Sequence, residues 1–355
     1  MGEGSAIIIA AKRPQLARAL QDAGEIEILR KALSWQAEGR RVAIATVIAS
    51  WGSAPRPVGS KLAVAEDGEF AGSVSGGCVE NAVITAAFEC IADGTPRQLD
   101  YAGDAKWPWE VGLPCGGTIR VYVETMSSKF AEALHARDQG HVTVLITKLE
   151  TGGYAQMTEQ TASGDAGVLK EVQDIWPESS SAWRTELITA EGGDLFVDVY
   201  RPTLRLMIIG ATHLAQSLSA MAGLYGYEVI VIDPRAAYLT AERFAAKTLV
   251  PESPGEALAA LRPDHATALI AVSHDPKIDD PALIAALRSE AFYVGALGSR
   301  KAHAARRERL SAAGFDDAAL ARIRGPVGLD IGAVSPPEIA GAILAQITQI
   351  LRGKA

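Results

Sequence analysis

Two cysteines of this chain stand in glycine-framed settings that packing alone does not require. Cys78 closes the run Ser75-Gly76-Gly77-Cys78, and Cys115 lies within Gly112-Leu-Pro-Cys115-Gly116-Gly117. Gly76 and Gly77 allow a sharp turn and the close approach of another group. A helix is expected to start there, with Cys78 in its first turn. The unpaired N–H groups and the dipole at that end favour a thiolate. The same donors around Ser75, Gly76 and Gly77 suit a phosphate or another anion. Pro114 stiffens the approach to Cys115, and Gly116 and Gly117 leave its surroundings bare. A thiol of that kind suits a nucleophile, a sulfur carrier or a soft-metal contact. The third cysteine, Cys90, sits in a helical core pattern and reads as a small buried hydrophobe. There is no C-x-x-C pair, and no two histidines have zinc-ligand spacing, so a structural zinc site is not expected.

A second constellation begins at Leu206-Met-Ile-Ile-Gly210-Ala-Thr212-His213-Leu-Ala215, where strand, turn and helix follow in the order of a dinucleotide fingerprint. Asp233 follows Gly210 by 23 positions, the expected place for an acid facing a ribose hydroxyl. Only Gly210 of the three fingerprint glycines is present. Thr212 replaces the one that lets backbone touch a pyrophosphate, which argues against tight NAD(P) binding, and His213 opens the helix. Ser273-His274-Asp275 follows another strand. Gly298-Ser299-Arg300 leads into a basic helix and reads as an anion cradle, with Ser299 as N-cap and Arg300 for a phosphate. In a doubly wound sheet, Gly210, Asp233, His274 and Gly298 would all face the crevice outside the strand ends. The helix carrying Arg300, Lys301, His303, Arg306, Arg307 and Arg309 reads as a solvated face, or as a dock for an acidic partner surface.

The elements that must position these residues fall into two halves. Before Tyr200 the chain holds all six tryptophans; after it the sequence becomes alanine-rich and regularly periodic. Val199-Tyr-Arg-Pro202 reads as a connector, because Pro202 cannot continue a central strand. Residues 1–200 and 201–355 are therefore expected to form separate domains. In the first, a helix is expected from Gln15 to Glu38. Strands are expected at Val42–Ile48, Lys61–Ala65, Phe70–Val74 and Thr118–Glu124, with a helix at Val79–Ala92. Further strands at Val142–Lys148 and Leu195–Val199 bracket a polar stretch, Gly152 to Gly193, that has no clear pattern. In the second half, strands at Arg205–Ile209, Glu228–Ile232, Thr267–Val272 and Phe292–Val294 alternate with helices. That rhythm predicts a parallel, doubly wound sheet. Ser335-Pro-Pro-Glu338 is a capping box opening the last helix. The fold class is thus α/β: an N-terminal α/β domain with a mixed sheet, and a C-terminal Rossmann-like domain.

Composition narrows the function. At roughly 100–200 residues per domain, 355 residues suit two domains. With 48% hydrophobic and 21% charged residues, a buried core is assured and dominant disorder is excluded. The net charge of −8 excludes a non-specific nucleic-acid footprint. No apolar run approaches the ~18 residues of a membrane span. Three sparse cysteines without a secretion signal are expected in the reducing cytoplasm.

Gly52-Ser-Ala-Pro-Arg56, Gly72-Ser-Val-Ser-Gly-Gly-Cys78-Val-Glu80 and Gly112-Leu-Pro-Cys115-Gly-Gly117 resemble the hallmark motifs of the XdhC/CoxI family. These are accessory proteins of xanthine dehydrogenase, CO dehydrogenase and related molybdenum hydroxylases. The resemblance covers most of the chain and implies the same pairing of an N-terminal domain with a Rossmann domain. It implies a chaperone that binds the molybdenum cofactor, holds it during sulfuration and passes it to an apo molybdenum hydroxylase, and that need not turn over a substrate of its own. Cys115 then becomes the main molybdenum or sulfur contact and Cys78 the second. Sulfur would come from a cysteine desulfurase. Arg56 and the glycine N–H groups suit the anionic cofactor, and the Rossmann edge suits its phosphate, or the nucleotide of a dinucleotide form. The resemblance also suggests a homodimer. In that family the Rossmann turn commonly reads Gly-Ala-Gly-His, so Thr212 departs from it. Two rival readings are an NAD(P)-dependent oxidoreductase and a sulfurtransferase carrying persulfide on Cys115.

Overall fold

The computed structural model describes residues 22–102, 116–173, 183–190, 192–244 and 247–353. Cys115 therefore lies outside the described residues, as does the start of the helix expected from Gln15. The chain divides into two compact units, Gln21–Pro202 and Thr203–Ala355.

The first unit opens with a helix through residues 22–37 (α1). There follow β1 (Val42–Trp51), β2 (Lys61–Ala65), β3 (Phe70–Gly72), α2 (Glu80–Asp93), β4 (Arg97–Ala102) and β5 (Thr118–Thr125). These strands form one sheet in the order β3-β2-β1-β5-β4. After α3 (Ser128–Asp138), a second sheet is built from β6 (Thr143–Lys148), β7 (Tyr154–Met157), β8 (Ala162–Gly164), β9 (Glu186–Ala190) and β10 (Gly193–Tyr200), with α4 (Ala166–Gln173) between β8 and β9. Its order is β8-β7-β6-β10-β9. Where a mixed sheet was expected, every strand pairing described in this unit is antiparallel. The reason is local. Neighbouring strands such as β2 and β3 are joined by a tight turn, here through Gly68 at φ 93°, and a short turn can only reverse the chain.

Strand β1 explains the layering. Ala43, Ala45 and Val47 on one face pack with Val83, Ala87 and Cys90 of α2. Val42 and Ile44 on the other pack with Leu29, Trp35 and Phe130 of α1 and α3. Both faces are covered, so the strand is apolar throughout instead of alternating.

The second unit contains β11 (Arg205–Ile209), α5 (His213–Leu224), β12 (Glu228–Ile232), β13 (Thr248–Val250), α6 (Pro254–Leu261), β14 (Thr267–Ala271), α7 (Pro276–Arg288), β15 (Tyr293–Ala296), α8 (Arg300–Ala312), α9 (Asp317–Leu320), β16 (Ile323–Arg324) and α10 (Pro336–Leu351). All pairings are parallel, in the order β13-β12-β11-β14-β15-β16. This is the doubly wound Rossmann order, with its switch point between β11 and β14. Leu206 and Ile208 face α5 and α10, while Met207 and Ile209 face α7. The capping box is present: the Glu338 carboxylate accepts the Ser335 N–H at 2.8 Å. Among the described residues, no helix is long and apolar enough to cross a membrane.

One buried charge pair ties the two sheets of the first unit together. Lys61 of β2, 1% exposed, donates Nζ to Asp198 Oδ2 of β10 at 2.7 Å, and Tyr200 donates its hydroxyl to the same oxygen at 2.8 Å. A buried ammonium stripped of its carboxylate is strongly destabilising, while an apolar pair of similar volume is not. Asp198→Ala is therefore expected to destabilise the protein by about 3–5 kcal/mol in urea unfolding. Lys61→Met with Asp198→Leu should recover most of that loss.

Candidate functional site

Three sequence motifs converge at one end of the first sheet. In the antiparallel register, Ser50 and Trp51 of β1 face Ile119 and Thr118 of β5. This brings the loop that starts at Gly52 against Gly116 and Gly117. A Cβ on Gly117 would lie 2.5 Å from Ala54 N and 2.8 Å from Ala54 Cα, so only glycine fits where these loops touch. Pro55 of the same loop reaches the other side, 4.0 Å from the Cβ position of Gly76. Arg56 then fastens the assembly. Its Nε donates to Ser73 O at 3.2 Å and its Nη2 to Glu25 Oε1 of α1 at 2.7 Å. The Arg56 guanidinium, expected to hold a cofactor, is thus engaged in bracing the loops. Glu25 also accepts the Lys61 N–H at 2.7 Å; burial pushes its carboxyl up, against the pull of Lys61 and Arg56.

The loop around Cys78 is organised by Glu80, which the motif contains but spacing alone does not single out. Its carboxylate accepts hydrogen bonds from Ser73 Oγ (2.6 Å), Ser75 N (2.9 Å), Ser75 Oγ and Gly77 N (2.8 Å). Burial raises the Glu80 carboxyl, but the hydrogen bonds from Ser73 and Ser75 outweigh it and, with its own backbone N–H, hold the group at about 2. Ser75, 1% exposed, accepts the N–H groups of Cys78 and Val79 on its Oγ, each at 2.9 Å, and Ser73 Oγ accepts that of Gly76 at 2.8 Å. This corrects two expectations. Strand β3 ends at Gly72 and α2 begins at Glu80, so Cys78 precedes the helix instead of occupying its first turn. The N–H groups of Ser75, Gly76 and Gly77, expected to be open to an anion, are already bonded to Ser73 and Glu80. What the loop presents to solvent is the thiol itself: Cys78 is exposed, with Gly76 and Gly77 at positive φ beside it. Cys90 is buried in the core of α2, where burial pushes its thiol up. Among the described residues, no cluster of three or more histidine, cysteine and carboxylate side chains is arranged to hold a metal ion.

In the second unit, the predicted residues do line one edge, at the carboxyl ends of β11, β12, β14 and β15. Gly210 (φ 103°) turns directly over Ser273; a Cβ there would lie 2.7 Å from Ser273 Cα. Thr212 caps α5, accepting Ala215 N–H at 3.3 Å, and His213 is exposed. Asp233 is not available to a ribose. It is fully buried, accepts Ala211 N–H at 2.7 Å, and is gripped by Arg235 through Nε (2.9 Å) and Nη2 (2.7 Å). Burial raises the Asp233 carboxyl, but the Arg235 hydrogen bonds win and lower it overall. Only the position of Arg235, two residues on, could have signalled this. His274 is exposed and held at φ 63°, a rare conformation for a residue with a side chain. Its neighbour Ser273 is anchored to the buried Asp279 through Oγ at 2.6 Å. Ser299 caps α8, accepting Ala302 N–H at 3.2 Å. The basic helix is exposed at Arg300, Lys301 and Arg309, as a solvated face would be; on it Arg307 pairs with Asp317 at 2.9 Å and Arg309 pairs with Asp280, while Arg306 alone of its arginines is buried.

Comparison with known proteins matches this arrangement to one family. The model of the XdhC and CoxI family matches residues 35–102, and that of the XdhC Rossmann domain matches residues 206–347. The molybdenum cofactor insertion chaperone PaoD of Escherichia coli is 30% identical over 325 residues, 91% of this chain and 87% of PaoD. The chain belongs to the XdhC and CoxI family. Another relative, from Bacillus subtilis, is described as a probable xanthine dehydrogenase subunit; it is 26% identical over 86% of this chain and 92% of its own length. A crystal structure described as a xanthine dehydrogenase from Bacillus halodurans superposes with a TM-score of 0.77 at 25% identity, covering 94% of this chain and 97% of that one. For this XdhC-family chain, the antiparallel unit and the Rossmann unit are thus accounted for together.

The Glu80 network makes a pH prediction. A carboxylate lowered on folding stabilises fully above its ordinary value of 4.5, and the stabilisation is lost as pH falls towards about 2. In urea unfolding, Glu80→Gln should cost about 1–2 kcal/mol at pH 7, from hydrogen bonds to a charged acceptor. The gap between wild type and variant should stay constant from pH 7 to 5 and narrow below pH 4.5. A gap independent of pH would show that the ionised carboxylate is not what holds the loop.

Proposed function

We propose that this protein is a molybdenum-cofactor chaperone. It holds the cofactor during sulfuration by a cysteine desulfurase and delivers it to an apo molybdenum hydroxylase, working as a homodimer. The observation that carries this reading is the convergence of the Gly52–Arg56, Ser73–Glu80 and Gly116–Gly117 segments beside an exposed Cys78. The family likeness to PaoD, named as a molybdenum cofactor insertion chaperone, supports it.

The parts divide by chemistry. Cys115 follows Pro114 and directly precedes the two glycines packed on the Ala54 loop, and it is assigned the main molybdenum or sulfur contact. Cys78 is the second thiol. Arg56, Ser75, Gly76 and Gly77 act on the cofactor indirectly: they fix the loops, with their own polar groups satisfied, so that a thiol can meet a soft metal without the backbone rearranging. The Rossmann edge takes the phosphate end of the cofactor or, in a dinucleotide form, its nucleotide. A nicotinamide-dependent reaction has less support, since Thr212 occupies the place of the pyrophosphate glycine and Asp233 is engaged by Arg235.

The test is anaerobic titration with molybdenum cofactor, followed by gel filtration. Protein-bound molybdenum and oxidised-pterin fluorescence are counted, and the elution volume reads the oligomeric state. Wild type should retain near-stoichiometric cofactor. Cys115→Ala should lose roughly tenfold or more in affinity, and Cys78→Ala less. No retention by wild type would overturn the chaperone reading and leave NADPH turnover as the next assay.

A further inference from the structure

We infer that the second unit carries a phosphoryl-binding site beneath the turn between β15 and α8, with Arg306 as its buried receptor. The site is distinct from the fingerprint turn at Gly210, where a Rossmann domain ordinarily meets a pyrophosphate.

Arg306 is 5% exposed. Of its guanidinium nitrogens, Nη2 alone is hydrogen-bonded, to Leu297 O at 2.9 Å. Nε and Nη1 are both buried without a partner. The facing carboxylate, Asp279, does not neutralise it at hydrogen-bonding distance. Its Oδ2 stands 3.8 Å from Nη2, while Oδ1 is occupied by Ser273 Oγ and Ser273 N. Asp280, the next acid along α7, is taken by Arg309. A guanidinium has five N–H donors and no way to shed its charge, so leaving two nitrogens dry and unpaired is unfavourable unless an acceptor arrives.

The guanidinium lies under the place where an acceptor would bind. A Cβ on Gly298 would stand 3.8 Å from Nη2 and 4.0 Å from Nη1, so the group sits directly below that turn. Gly298, at φ 141°, adds no side chain to the space. Above it begins α8, thirteen residues long; Ser299 caps the Ala302 N–H, and the N–H groups of Arg300 and Lys301 together with the dipole favour an anion. Arg300 and Lys301 in that first turn are exposed and carry charge of the right sign. A buried guanidinium, a helix start and exposed basic side chains converging on one glycine turn match a phosphate better than a single carboxylate, which has fewer acceptors to share among them.

Under the cofactor-carrying reading, this phosphoryl group is the one at the pterin or nucleotide end of the cargo; the identity of the ligand rests on that reading, but the site does not. The two are tested apart by using inorganic phosphate and CMP as molybdenum-free probes, against matched sodium chloride. In isothermal titration, wild type should bind both probes, and Arg306→Met should weaken both by about tenfold or more. Arg307→Met, on the same helix but paired with Asp317, should bind as wild type does. Because a change at a buried site can harm folding, the Arg306 Nε–H resonance of 15N-labelled wild type provides a second readout: it should shift with phosphate and not with chloride. Tighter binding of CMP than of phosphate would assign the site to a nucleotide, and equal binding to the phosphoryl group alone. No binding of either probe by wild type, an unmoved Nε–H resonance, or undiminished binding by folded Arg306→Met would overturn the site. If cofactor retention survives that failure, the chaperone reading stands without it.

Discussion

The organisation of the first unit hangs on one ionised carboxylate. Glu80 gathers four donors from the short loop that precedes it and so fixes a path the backbone would not otherwise hold, since that loop has two adjacent glycines at positive φ. Glycines confer freedom, and freedom must be removed before a thiol can be presented in one direction. Here the removal is electrostatic. Ser75 extends the effect by capping the two N–H groups that follow, so the polar backbone around Cys78 is satisfied before any ligand comes near. The Cys78 residue is left exposed while its scaffold is saturated.

The same saturation of polar groups holds for the acids at the sheet edge of the second unit. Asp233 is saturated by Arg235 and Ala211, and Asp279 by Ser273. Saturated groups hold turns in place and have little left to offer a ligand. Arg306 stands apart, because burial has removed its water without supplying partners for two of its nitrogens. In a sheet edge where the neighbouring acids already have partners, that imbalance locates the place where chemistry from outside is needed.

Four strands of the Rossmann unit were legible because both faces of a parallel sheet are buried, giving short apolar runs of fixed length; the edge strands β13 and β16, three and two residues long, were not. Arg205–Ile209 and Glu228–Ile232 fall where branched residues cluster. The second sheet of the first unit was not legible between Gly152 and Gly193. Its edge strands are short, β8 exposed throughout and β9 exposed to half-buried, so their residues alternate weakly and resemble loop. The three motifs were readable as motifs, but their meeting was not. Only the register that sets Trp51 opposite Thr118 brings Ala54 onto Gly117. Which charges already have partners was likewise hidden: Arg56 and Asp233 are ordinary letters in the sequence, and their roles follow from partners 31 and 2 positions away.

Gly210 has a wider bearing on how such folds are interpreted. Its missing side chain is demanded by Ser273, just past the end of the neighbouring strand, since any Cβ would collide with that backbone. The first glycine of the fingerprint is therefore a tenant of the sheet, present whether or not a nucleotide ever arrives. A Rossmann turn that keeps this glycine and carries threonine two residues later can be fully fit as architecture and yet silent about dinucleotides. For chains of this kind, the diagnostic letter is the second glycine, because no neighbour within the protein requires it and only a ligand would.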